Sequence, residues 1–259
     1  MNTNPITRWL VARRMRRHRI GDALWRRIVS DSDVFDGLDA ETLERVRDLA
    51  ARFIAEKRFF GAGGFPVDEA VRAAIAAQAC RLVANLGFEY LGACRTVIVY
   101  ESGFIAEREV EDEVGVVHAG HEELVGEAAH GGSVVLAWDD AQPRRNAPDY
   151  FPTNVVIHEF AHKLDELSGH HNGFPPLPGG MSGALWEETF SAAYADLCSV
   201  VERDLEPPID DYAASDPAEF FAVTVETFFT VPDILADAFP PVYGLLTELF
   251  REDPLVARS

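Results

Sequence analysis

The run His158-Glu159-Phe160-Ala161-His162 holds the side chains best placed to do chemistry together. On an α-helix His158 and His162 stand one turn apart on the same face, so both imidazoles reach a single ion. Glu159 lies one residue round from the first histidine. There its carboxylate sits beside the open coordination position, suited to take a proton from bound water rather than to ligate. This is the chemistry of metal-assisted hydrolysis, with zinc as the fitting ion. The other helix positions, Val156, Ile157, Phe160, Ala161 and Leu164, are apolar and bury the helix, where paired histidines without an ion would be costly.

A catalytic zinc takes three protein ligands and leaves one position open. The long signature that supplies a third histidine would need Gly at 165 and His at 168, but the chain has Asp165 and Ser168 there. The remaining candidates are Asp165 on the same helix, Glu187 or Glu188 on the next, and Glu219 or Glu226 on the one after. Asp165, three residues beyond His162, can ligate or can accept the outer N–H of a histidine. Spacing does not rank these residues.

The elements that must position them read as mainly helical. Asp39 caps a helix with apolar residues at 43, 46, 49/50 and 53/54, closed by Gly61-Ala62-Gly63-Gly64. A second helix runs from Asp68 to about Asn85. The runs 96–100 and 133–138 are β-branched or aromatic and predict strands, with a hairpin or rim between them. The histidine helix starts at Asn154 and stops at Ser168-Gly169, and another runs from Trp186 to about Val201. Asp216-Pro217 opens a helix to about Thr230, and a last one covers Pro241 to Phe250. The expected class is α+β: a basic helical segment over 1–34, and over 35–259 one mainly helical domain with a small mixed sheet. The strand 134–138 is expected to form the substrate rim, pairing an exposed edge with an extended peptide.

Of 259 residues 25% are charged and 47% hydrophobic, an ordinary globular composition. The formal charge of -20 disfavours nucleic acid as a partner, since it repels phosphate. Eight arginines within the first 27 residues face one acid, Asp22, a basic head expected to dock on the acidic body. No apolar stretch approaches 18 residues and Trp9-Leu10-Val11-Ala12 is too short for a signal-peptide core, so a cytoplasmic protein without membrane insertion is expected. Cys80, Cys94 and Cys198 are widely spaced and read as reduced thiols. His118, His121, His130, His170 and His171 lack helical pairing and read as surface residues.

Longer runs carry a resemblance. The segment 154–165 with Asn172-Gly173 and Pro175-Pro176-Leu177, the segment 211–223, Ala76-Ala77-Gln78-Ala79-Cys80, and 134–140 together resemble the Mlc titration factor A family. Those are bacterial zinc-dependent peptidases whose catalytic part is similar to that of anthrax lethal factor. The resemblance covers about residues 35 to 255 and implies a zincin-like metallopeptidase fold. It implies Zn2+ held by His158, His162 and Glu219, with Glu159 as catalytic base and Tyr212 as the active-site tyrosine, and it leaves Asp165 to orient a histidine from outside the ligand set. The implied activity is hydrolysis of short peptides or aminopeptidase-like trimming. Members of that family are linked to sequestering a glucose-responsive transcriptional repressor, which makes such a repressor the second expected partner beside a peptide substrate.

Overall fold

The computed structural model describes residues 17–102, 132–145 and 153–258. Their contacts divide them into two compact units. One takes the described residues up to Asp31 with 39–84 and those of 94–143, and the other takes 32–38, 85–93 and those of 144–258.

The first unit carries the sheet. Helix α1 (Asp22–Ser30) is followed by α2 (Ala40–Glu56), which starts where Asp39 accepts the Thr42 N–H at 2.7 Å. The predicted apolar face of α2 is buried at Val46, Ala50 and Phe53. From the basic head, Arg19 reaches Glu44 at 2.5 Å and Asp48 at 3.2 Å on α2. Helix α3 (Glu69–Leu82), capped by Asp68, is buried on every side from Ala73 to Leu82. Its alanines let neighbouring backbone approach, and Gln78 donates to the carbonyls of Ala74 and Ala141 at 3.2 and 2.8 Å.

Strands β1 (Arg58–Gly61), β2 (Thr96–Tyr100) and β3 (Ser133–Ala137) pair in that order, with Phe59 opposite Val97 and Val97 opposite Val134. Both pairings are parallel, which corrects the expected mixed sheet: among the described residues no antiparallel pair occurs. All five residues of β2 are buried, as a central parallel strand requires, whereas β3 alternates and exposes Val135. Trp138, expected to end the last strand, instead opens a short turn of helix, α4 (Trp138–Ala141). The expected hairpin or rim before Ser133, with His118, His121 and His130, and the arginines up to Arg16 lie outside the described residues. Cys80 and Cys94 are buried thiols outside any disulfide, and burial pushes Cys80 well above the usual thiol range.

The second unit is helical. Asn154 caps α5 (Val155–Asp165) by accepting the Ile157 N–H at 3.0 Å, and a short turn over Glu166–Ser168 ends at left-handed Gly169. Helix α6 (Gly183–Glu202) follows, then α7 (Pro217–Thr230), opened by Asp216, whose carboxylate accepts from Ala218 and Glu219 at 2.7 and 3.1 Å. Helices α8 (Pro232–Ala238), α9 (Pro240–Phe250) and α10 (Pro254–Ala257) complete it.

Helix α7 is buried throughout from Phe220 to Thr230. Its aromatic side chains join Trp186, Phe190 and Phe250 in the core, where Trp186 stacks on Phe190 with centroids 4.2 Å apart. Thr224, Thr227 and Thr230 satisfy their hydroxyls on carbonyls of their own helix at 2.7–2.9 Å. Helix α5 packs along α7. Among the described residues no helix is long and apolar enough to cross a membrane.

Candidate metal centre

The Asn154 cap sets where α5 begins, and so places His158 and His162 on the face turned to α7. From α7, the Asp216 cap and Pro217 in the first turn place Glu219 opposite both rings. Nε2 of His158 lies 3.2 Å from Nε2 of His162 and 3.1 Å from Oε2 of Glu219, and Nε2 of His162 lies 3.3 Å from the same oxygen. Three ligand atoms thus form a nearly equilateral triangle from residues that lie up to 61 positions apart.

Zinc held tetrahedrally by bonds of about 2.0–2.1 Å separates its ligand atoms by roughly 3.3–3.4 Å, so the observed triangle fits such an ion closely. The donor chemistry agrees. Two imidazole nitrogens 3.2 Å apart and a carboxylate oxygen share one point, which needs either a proton held on one ring or a cation. Among the described residues this is the cluster of histidine and carboxylate groups that can hold a metal.

Charge at the site is divided between the rings. Burial alone would depress the His158 imidazole, but the hydrogen bond and charge of Glu226, with Glu219 and Glu159 behind them, hold its titration above the ordinary histidine value. His162 goes the other way, lowered by burial and by its neighbour His158. Burial raises the Glu159 carboxyl, keeping a proton acceptor of increased basicity in the same cavity.

That cavity has a volume of about 520 Å³, and Glu159, Lys163, His171, Tyr212 and Glu219 are among its lining residues. Tyr212 stands on the short turn Asp211–Ala214 with its ring centroid 6.3 Å from that of His158 and is 55% exposed. Burial of its hydroxyl and the Glu219 charge both raise the phenol. His171, expected to be an ordinary surface residue, is exposed but lines the cavity, its ring 5.6 Å from His162 and its Nε2 3.0 Å from Glu166. Lys163 pairs with the same Glu166 oxygen at 2.5 Å.

Asp165 has a different place from the one expected. It is 0% exposed, and its two oxygens accept the backbone N–H groups of Asn172, Gly173 and Phe174, each at 2.8 Å. It anchors that loop and touches neither ring. The loop then abuts the start of α7: a Cβ on Gly173, whose φ is +75°, would lie 2.5 Å from the Pro217 carbonyl oxygen. Glu187 and Glu188, the alternatives on α6, are exposed and do not line the cavity.

The carboxylate beside a histidine is Glu226, weighed from sequence only as a third ligand. Its Oε2 lies 3.2 Å from Nδ1 of His158, the ring edge opposite Glu219. The available signal was its spacing, seven residues or two helical turns beyond Glu219 on one face.

Residues 6–251 match the family model described as glucose-regulated metallo-peptidase M90. The chain is 34% identical over 222 residues to Mlc titration factor A of Cronobacter sakazakii, covering 85% of this chain and 83% of that protein. Mlc titration factor A of an Enterobacter species gives 34% over 224 residues, with 86% and 83% covered, and that of Klebsiella pneumoniae 34% over 223, with 85% and 83%. A metallopeptidase family implies a metal, and the triangle of His158, His162 and Glu219 is where this chain can hold one. Matched over nearly its whole length by the model and by these relatives, the chain belongs to the glucose-regulated metallo-peptidase M90 family.

Proposed function

We propose that this protein is a zinc-dependent peptidase acting on short peptides or trimming them in an aminopeptidase-like manner, within a zincin-like domain over 35–259 preceded by a basic segment over 1–34. The observation that carries the reading is the convergence of His158, His162 and Glu219 on one point, with Glu159 and Tyr212 lining the same cavity. A bound zinc supplies Lewis acidity, making a water a nucleophile near neutral pH and polarising the scissile carbonyl. Glu159 accepts a proton from that water as the new C–O bond forms. The same carboxyl then returns the proton to the departing amine as the C–N bond breaks. Tyr212 donates its phenolic hydrogen to the oxyanion that develops on the former carbonyl.

The test is Glu159→Gln. With zinc content unchanged, hydrolysis of a panel of fluorogenic peptides should fall by on the order of 10³-fold or more, since the proton acceptor is gone. Retention of wild-type turnover by this variant overturns the assignment.

The name of the relatives, Mlc titration factor A, and the family resemblance support a second reading, in which the protein sequesters a transcriptional repressor in the cytoplasm and peptidase activity is secondary. The acidic balance suits a basic partner protein and opposes nucleic acid. A pull-down comparing wild type with a His158→Ala/His162→Ala double variant separates the readings: equal capture of the repressor makes titration independent of the metal, and lost capture ties the two together.

A further inference from the structure

Glu226 is a buried carboxylate, 7% exposed, in the middle of an aromatic helix. A charge in such surroundings is strongly destabilising unless both oxygens are engaged. Here both are. Oε1 accepts the backbone N–H of Asn154, the residue that caps α5, and Oε2 faces Nδ1 of His158 at 3.2 Å. One carboxylate therefore holds the start of the histidine helix and one edge of its first imidazole together. Glu219, two turns earlier on the same face of α7, meets the other edge at 3.1 Å.

An ionised carboxylate only accepts, and His158 has one on each edge, so Glu226 favours the ring hydrogen on Nδ1 while Glu219 favours it on Nε2, and a metal on Nε2 requires the first arrangement. We infer that Glu226 is a positioning residue that draws the hydrogen of His158 to Nδ1, keeping Nε2 available to the metal, and that it ties this tautomer to the start of α5. The inference rests on the proposed metal site and adds a residue to it. His162 differs: its Nδ1 is buried with no hydrogen-bond partner among the described residues, so this control falls on one histidine of the pair.

Glu226→Gln makes the inference testable because its outcome follows from donor and acceptor arithmetic. The Asn154 N–H can only donate, so the glutamine must turn its oxygen there and its NH2 toward His158. Nδ1 must then accept, and the ring proton moves to Nε2, the atom the metal needs. Nitrogen chemical shifts of His158 in metal-free protein, read at a pH above its own titration, report the tautomer directly. Zinc affinity is measured beside them by chelator competition.

The expected result is a larger Nδ1–H share in wild type than in Glu226→Gln, where the Nε2–H form takes over, and affinity weakened about 10–100-fold in that variant. Glu226→Asp keeps an accepting carboxylate, so the Nδ1–H form should survive in it. An Nε2–H tautomer in Glu219→Ala, which removes the carboxylate at the other ring edge, overturns the inference whether or not either Glu226 variant folds. So does a folded Glu226→Gln with wild-type tautomer and affinity within about twofold. Failure of the peptidase reading looks different: wild type takes up zinc but cleaves nothing, while the tautomer and affinity shifts persist.

Discussion

Two helices are buried on every side, α3 in the sheet-bearing unit and α7 in the helical one, and they are made of opposite materials. Helix α3 reaches full burial with alanines, and beyond its first turn it carries no acid. Helix α7 reaches it with four phenylalanines, yet it keeps Glu219 at its start and Glu226 near its centre. An alanine face serves close packing, and its buried amide Gln78 is met by backbone carbonyls. A carboxylate in aromatic surroundings persists only where something opposes it, and on α7 the opposing group in both cases is His158. The contrast separates a helix packed mainly through small side chains from one that also carries carboxylates to a defined point.

The largest effect should come from deleting a carboxylate on one helix and a polar group on the other. Glu219→Ala should weaken zinc binding by on the order of 10³-fold or more, beyond the 10–100-fold of an outer partner, and abolish hydrolysis with it. Gln78→Ala on α3 removes the donor to the Ala141 carbonyl and should cost about 1–3 kcal/mol of stability while leaving zinc affinity unchanged. Equal loss of metal in both variants, measured by chelator competition, would erase the distinction. The two cores should also break in opposite directions. Phe221→Ala, in the cluster with Trp186 and Phe190, should cost about 3–5 kcal/mol by opening a cavity. Ala76→Leu, at a position with no exposed surface, should cost about 1–3 kcal/mol by overpacking. Denaturant unfolding of each checks both.

The same contrast marks what sequence could tell. Helix starts at Asp39, Asp68, Asn154 and Asp216 and strands β2 and β3 were legible because their signals lie within a few residues. Strand β1 was not: Arg58-Phe59-Phe60-Gly61 is four residues without alternation, and its partner lies across a helix. The parallel direction of the sheet was illegible for the same reason, since it depends on crossovers rather than on any strand's own residues. Helix α8, seven residues between two prolines, was too short to show a period. At the site, the histidine pair announced itself through one helical turn, whereas the place of Glu219 came only with the family resemblance. Asp165 was read as a partner for histidine because side chains are what a sequence displays. Its true partners are three backbone N–H groups, which every residue but proline possesses and no pattern labels.

The smallest expected effect tests whether the rule seen on α7, a buried polar group held by a stated partner, extends to its neighbour α9. Tyr243 packs against Phe228 with centroids 5.3 Å apart and donates its phenol to Asp253 at 2.6 Å. Burial first, and then that hydrogen bond, push the phenol up to about 12. The folded protein thus holds the proton more firmly than the unfolded chain, whose tyrosine releases it near the ordinary value of about 10. The stabilisation is complete below that value and fades as pH rises toward the folded one. Asp253 also accepts the N–H groups of Leu255 and Val256, so removing the phenol leaves the carboxylate with partners and the cost stays modest. Tyr243→Phe should therefore lower stability by about 1 kcal/mol near neutral pH, and wild type should approach the variant as pH climbs from about 10 toward 12. Equal stability of the two near neutral pH would mean that the ring alone, without its hydroxyl, holds α9 against α7.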